Sequence, residues 1–179
     1  MAHEAILQLL REHAAGLLDP HESWMVADTI RFIEEHPDCL LRSCLSGHLT
    51  GSAWIVDASR TRTLLTHHRK LDKWLQPGGH ADGQADPLGV ALREAEEECG
   101  VAVRPVSTAI FDVDRHLIPA RGEVPAHYHY DLRFMLEADP EQPFVVTEES
   151  HDLAWVDVAQ VPALNPEESM ARMVRKTLA

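Results

Sequence analysis

Along the first part of the chain the apolar positions recur at helical intervals. Ile6, Leu9, Leu10, Ala14, Leu17 and Leu18 recur at helical spacing, and after the break "LDPHESW" a second run, Glu22 to Glu35, carries Met25, Ile30 and Ile33. The pattern predicts a helical pair, closed by a linker-like break at "HPDC". The period then shortens. "TGSAWIVDASRTRTLLTHH" predicts two short strands, Ser52 to Val56 and Thr63 to Thr66, turning through the polar "DASRTR" as a hairpin. "WLQPGGHADGQADP" reads as a glycine-rich loop. Further strand candidates follow in "VAVRPVSTAIFDVDRHL", "HYHYDLRFMLEA" and "DLAWVDV", with a closing helix from Pro166 to Leu178. Strands, one internal helix, more strands and a final helix predict a mixed α+β layered domain.

The internal helix is sharply bounded. Asp86 is placed to cap free amides, Pro87 suits the first helical position and Gly100 is a fitting left-handed stop, so Pro87 to Cys99 is one helix. Leu88, Leu92, Ala95 and Cys99 fall in a stripe roughly 60° wide, the expected buried seam. Glu94, Glu97 and Glu98 gather on another face, where like charges repel by a few tenths of a kcal/mol per pair. A hard divalent ion such as Mg2+ or Mn2+, which takes oxygen ligands, is the simplest compensator. Arg93 is placed one turn from Glu97, able to hold its carboxylate. Three acids alone equally describe a solvated helix face, so the loop ahead of them decides the weighing.

That loop and helix, "GGHADGQADPLGVALREAEEECGV", resemble the signature of the Nudix (MutT-like) hydrolases. Gly79, Arg93, Glu94, Ala95, Glu97, Glu98, Gly100 and Val101 all fall at the required spacing; Ala85 stands where the family usually has its first glutamate. The resemblance implies an α/β/α sandwich with a central mixed sheet in residues 41–179, preceded by an N-terminal helical extension in residues 1–40. It implies a metal-dependent pyrophosphohydrolase cleaving a diphosphate linkage in a nucleoside diphosphate derivative, with water as nucleophile. The ligands would be the Gly79 carbonyl, Glu94, Glu97 and Glu98, with Glu94 as ligand or base and Arg93 in support. A Nudix-fold protein that binds a nucleotide without cutting it is the competing class, raised by Ala85.

Other candidates stand beside ordinary readings. His127, His129 and Asp131 share one face of a strand, as a substrate-facing or second metal-binding row, or as a solvated face. Glu149, in "EESHDLAW", lies in a loop that the resemblance marks as a source of the general base or another ligand, though surface loop acids are common. His67, His68, Arg69, Lys70 and Lys73 either attract phosphate oxygens or are solvated. Trp74, Leu75, Trp155 and Cys99 are expected in the core.

Charge narrows the partners. Sixteen basic against twenty-nine acidic side chains give a formal charge of -13, which repels a nucleic acid polymer. A small phosphorylated molecule stays possible, because a bound cation inverts the local field. Cys39, Cys44 and Cys99 lack paired spacing and read as free thiols in a reducing compartment. With no signal-like or membrane-spanning run, the expected location is the cytoplasm. The N-terminal helices lie outside the resembling region, where they could cover a site or pair two subunits as a homodimer.

Overall fold

The computed structural model describes residues 3–16 and 18–179. It opens with α1 (Glu4–Ala14) and α2 (Pro20–Glu35). The predicted helical position Leu17 lies outside the described residues. Helix α2 starts two residues earlier than its apolar pattern suggests, because Asp19 accepts from the backbone N–H groups of His21 and Glu22 and Pro20 takes the first position.

The sheet follows: β1 (Gly47–Val56), β2 (Arg62–His68), β3 (Lys73–Leu75), β4 (Gly78–His80), β5 (Arg104–Pro105), β6 (Asp112–Ile118), β7 (His127–Glu137) and β8 (Ser150–Asp157). Between β4 and β5 runs α3 (Pro87–Cys99), and the chain closes with the short α4 (Val161–Leu164) and α5 (Glu168–Leu178). Strands β1 and β7 form a long parallel pair from Gly47↔Tyr128 to Val56↔Glu137. The other edge of β1 is shared, with β4 at Thr50–Ser52 and β2 at Ile55–Val56. Most remaining partners are antiparallel neighbours of β2 and β7, so the sheet is mixed, as expected.

Two expectations change here. The supposed glycine-rich loop contains β3 and β4, three residues each, which exist through pairing with β2 and β1 rather than through strand propensity. The expected hairpin is a bent one, since β1 and β2 share only two residue pairs before β2 turns to β3 and β8.

Side-chain alternation gives the sheet two unlike faces. One is apolar: Leu49, Ala53, Ile55, Leu132, Phe134 and Leu136 are buried with Val90, Ala91 and Ala95 of α3 and Leu10, Phe32 and Ile33 of the N-terminal helices. The opposite face begins apolar, with Trp54 and Met135 packed on Met170, Met173 and Val174 of α5. It then turns ionic. Asp112 is fully buried and accepts from Arg172 Nε (2.7 Å), Arg133 Nη1 (3.2 Å) and Lys176 Nζ (2.9 Å). Asp131 takes Thr50 Oγ1 and Ser52 Oγ, each at 2.8 Å, and Arg133 Nε at 2.8 Å. Burial works against charge at Asp114, yet Arg133, His116 and Arg172 hold its carboxyl far below the usual range.

The outer edge of β6 is covered by α2. The N–H of Val113 donates to Glu22 Oε1 (3.2 Å), and that oxygen also takes Lys176 Nζ (2.6 Å) and sits 2.8 Å from His13 Nε2. An edge strand closed by side chains offers no template for pairing with another chain. Among the described residues, no helix is long and apolar enough to cross a membrane.

The end of α3 gives a direct test of local backbone chemistry. Gly100 sits at φ 66° and an added Cβ would meet Val145 Cγ2 at 3.1 Å. Gly100→Ala should therefore cost about 1–2 kcal/mol, read as a lowered midpoint in urea unfolding. An unchanged midpoint would show that the helix does not need a left-handed stop.

Candidate active site

Helix α3 has the predicted boundaries, but its seam is rotated. Val90, Ala91, Ala95 and Cys99 are buried, whereas Leu88 and Leu92 are only half-buried. Asp86 occupies the cap position without a side-chain cap bond. The rotation carries Glu98 inward, and the residue is only 8% exposed.

Strand β4 receives these acids. The Gly78 N–H donates to Glu98 Oε1 at 3.0 Å. An added Cβ on Gly79 would lie 2.4 Å from the Glu94 carboxyl, so only glycine lets the backbone approach this closely. Glu97 is mostly exposed at the side of the pair. Arg93 is occupied differently from the expectation: it donates to Glu94 Oε1 (2.8 Å), the His80 carbonyl (2.8 Å) and Gln84 Oε1 (2.6 Å), while its Nε stands 4.0 Å from Glu97. Arg93 thus ties the first helical acid to the loop. Beside Ala85, which is exposed, Gln84 supplies the loop's contact to that arginine.

Crowding shows in the proton affinities. Burial, opposed by the Gly78 N–H and reinforced by Glu94, Glu149 and Glu97, pushes the Glu98 carboxyl up to about 7. Burial raises Glu94 as well, against Arg93 and with Glu97 and Glu149. Glu149 itself is exposed in the loop before β8, with its charge close enough to be felt by both acids.

Of the basic cluster at the β2–β3 turn, three members are engaged elsewhere. His67 stacks on Trp74 and bonds Asp72, Arg69 donates to the Ser150 carbonyl, and Lys73 pairs with Glu167. Trp74 and Trp155 are half-buried against the cores rather than enclosed. Cys99 is fully buried, and burial lifts its thiol to about 12, which leaves it inert.

The strand row resolves into two parts. Asp131 belongs to the buried ionic network, so it is neither solvated nor open to substrate. His127 and His129 join His48 and His80 in a cluster with ring centroids about 5 Å apart. His48 and His80 were not legible as partners of this row, because they come from β1 and β4 and meet it only through strand register. Burial first, then neighbouring cationic and imidazole groups, lowers His80 to about 4 and His129 to about 2, so both rings are neutral near pH 7. A cavity of about 240 Å³ opens beside His48, His80 and His127. A larger cleft of about 420 Å³, lined by Ala102, Arg104, Glu137 and Gln142, lies away from the acids and histidines.

Comparison with known proteins places this arrangement. Curated proteins gave no sequence match. Solved structures share the fold: an Ap4A hydrolase of C. elegans aligns with TM-score 0.58 at 16% identity, over 72% of this chain and 93% of that one. A MutT NUDIX hydrolase from Burkholderia pseudomallei aligns with TM-score 0.57 at 23% identity, over 73% and 97%. A UDP-X diphosphatase aligns with TM-score 0.56 at 17% identity over 98% of this chain and 91% of that one, so its match extends over the N-terminal helices. A family model, the NUDIX domain, matches residues 48–177. The chain therefore belongs to the NUDIX family, and with the family comes the enzyme class expected from its signature, a pyrophosphohydrolase.

Proposed function

We propose that the protein hydrolyses a diphosphate linkage in a nucleoside diphosphate derivative, using Mg2+ or Mn2+ held by the Gly79 carbonyl, Glu94, Glu97 and Glu98. The observation that carries this reading is the packing of Glu94 and Glu98 against the backbone of β4, with no cationic side chain paired to Glu98 among the described residues. The donor set fits a hard divalent ion: all candidates are oxygens, and burial, reinforced by the neighbouring carboxylates, raises two of the acids. When bound, such an ion would neutralise the diphosphate and supply an activated water.

The chain's own residues set the rest. Arg93 fixes Glu94 against the loop, so the carboxyl is oriented before substrate arrives. Gly78 holds one oxygen of Glu98 and leaves the other available. Glu149, on its exposed loop, is the proposed base that accepts the proton of the attacking water. His127, which lines the cavity, faces a group attached to the diphosphate, with His129 beside it in the same row. Proteins named as an Ap4A hydrolase and a UDP-X diphosphatase share this fold, which agrees with a nucleotide-linked diphosphate as substrate class.

The test is product release from a panel of nucleoside diphosphate derivatives with magnesium or manganese, with chelator as control. Turnover of any member that stops with chelator is the expected result. Silence from folded protein that still binds a nucleotide in calorimetry would replace the hydrolase with a binding module, and Ala85→Glu would then be the first change to make.

A further inference from the structure

We propose that the protein carries a second metal site, separate from the acids of α3, in which His48, His80 and His129 bind a divalent transition ion such as zinc. The site goes beyond the hydrolase reading and does not depend on it.

Three strands build it. His48 and His129 are Cα partners in the parallel β1–β7 pair, and His80 enters from β4, whose register places it opposite Thr50, two residues along β1. One ring nitrogen from each of the three lies within 4.8 Å of those of the others. Tetrahedral bonds of about 2.0 Å put donor atoms roughly 3.3 Å apart, so modest side-chain rotation closes the group on an ion.

By hydrogen-bond geometry, nitrogens of two of these rings are left without a partner. Both Nδ1 and Nε2 of His48 are buried without a hydrogen-bond partner, and so is Nε2 of His129. His48 is 4% exposed. An unmet buried polar atom is destabilising, and here two strands bring such atoms to the same point. Histidines that only filled space would bond to backbone or solvent; His127 does so, with Nδ1 2.9 Å from the Pro125 carbonyl. His116 likewise lies 3.2 Å from Asp114 through Nδ1. Those two rings lie against the trio without belonging to it.

The donor set decides the ion. Three imidazoles without a carboxylate suit zinc, copper, nickel or cobalt, whereas magnesium and manganese prefer oxygen. The adjoining cavity of about 240 Å³ gives an entry path and leaves room for a fourth ligand from solvent or substrate.

The place of the site also gives it an effect. His80 directly follows Gly79, its carbonyl accepts from Arg93, and Arg93 holds Glu94. Gly78, at the other end of β4, holds Glu98. An ion on the His80 ring would therefore fix the three-residue strand on which both acids rest.

The experiment uses full-length protein stripped with chelator and returned to saturating magnesium, then titrated with cobalt(II) and zinc. Cobalt gives the visible d–d absorption of a tetrahedral nitrogen site, and zinc is followed by calorimetry and melting temperature. The expected result is one tight equivalent per chain in the wild type and in Glu98→Gln. Affinity should fall by about a hundredfold or more in His48→Asn and in the more exposed His80→Asn, with circular dichroism confirming both folds. Absence of tight binding in the wild type overturns the proposal. So does binding that survives in a folded His80→Asn, or that disappears in Glu98→Gln, since the ion would then belong to the acids of α3.

Discussion

Glu98→Gln is expected to abolish turnover while leaving the fold intact, with a loss of about a hundredfold to a thousandfold or more, the scale for removing a preorganised electrostatic group. The amide keeps the shape and the oxygen that accepts from Gly78, and removes only the charge. The same variant carries a stability signature that can be read without substrate. Glu98 ionises near 7 in the folded protein and close to its ordinary 4.5 when unfolded, so folding takes up a proton between those values. Stability from this group therefore falls as pH rises through that window, by on the order of 3 kcal/mol. The histidines act in the opposite sense: His80 and His129, with folded values lowered from 6.5, contribute stability above 6.5 that is lost as pH falls. A melting curve of the wild type alone would mix the two. The difference between wild type and Glu98→Gln in metal-free buffer isolates Glu98, and the variant should gain on the wild type between pH 4.5 and 7.5. A difference that stays flat over that range would remove the buried, crowded carboxyl from the account, and retained turnover would remove its role in hydrolysis.

The largest stability effect is expected at Asp112→Asn. Asp112 is fully buried and faces Arg172, Arg133 and Lys176 together. Neutralising it leaves fully or largely buried cations without their shared partner, a loss of about 3–5 kcal/mol. For a chain of this length that lowers the melting temperature by on the order of 10 °C, measurable by calorimetry. A fall below about 1 kcal/mol would mean that Asp114 and Asp131 alone satisfy the arginines.

The two predictions differ in how far the sequence announces them. Helix α3 was legible to the residue, because Pro87 and Gly100 act locally and the signature residues lie within one helix and its loop. Strand β1 begins five residues before the apolar pattern predicts, since "GHLT" looks polar. His48, Thr50 and Ser52 face buried partners on β4 and β7, and no local pattern distinguishes such a face from a wet one. The ionic network left a trace, "DVD" in β6 and "DLR" in β7, charges two apart within apolar strands. That spacing reports one charged face; only the register Asp112↔Arg133 shows that the face is buried and paired. The same limit hid the histidine cluster, whose members are up to 81 residues apart as the register pairs them, from His48 to His129. His127 and His129 were visible as a row, while the partners that give the row its chemistry were not.

Glu22 has a further implication. One oxygen of this side chain receives Lys176 from α5 and the edge of β6, and lies against His13 from α1. The beginning and the end of the chain are thereby joined through a single atom, across 154 positions of sequence. Changes in the two regions are then not independent: without the N-terminal pair the lysine loses one of its two carboxylate partners and keeps only Asp112. The helical extension and α5 in that sense form one structural unit divided between two distant stretches of sequence.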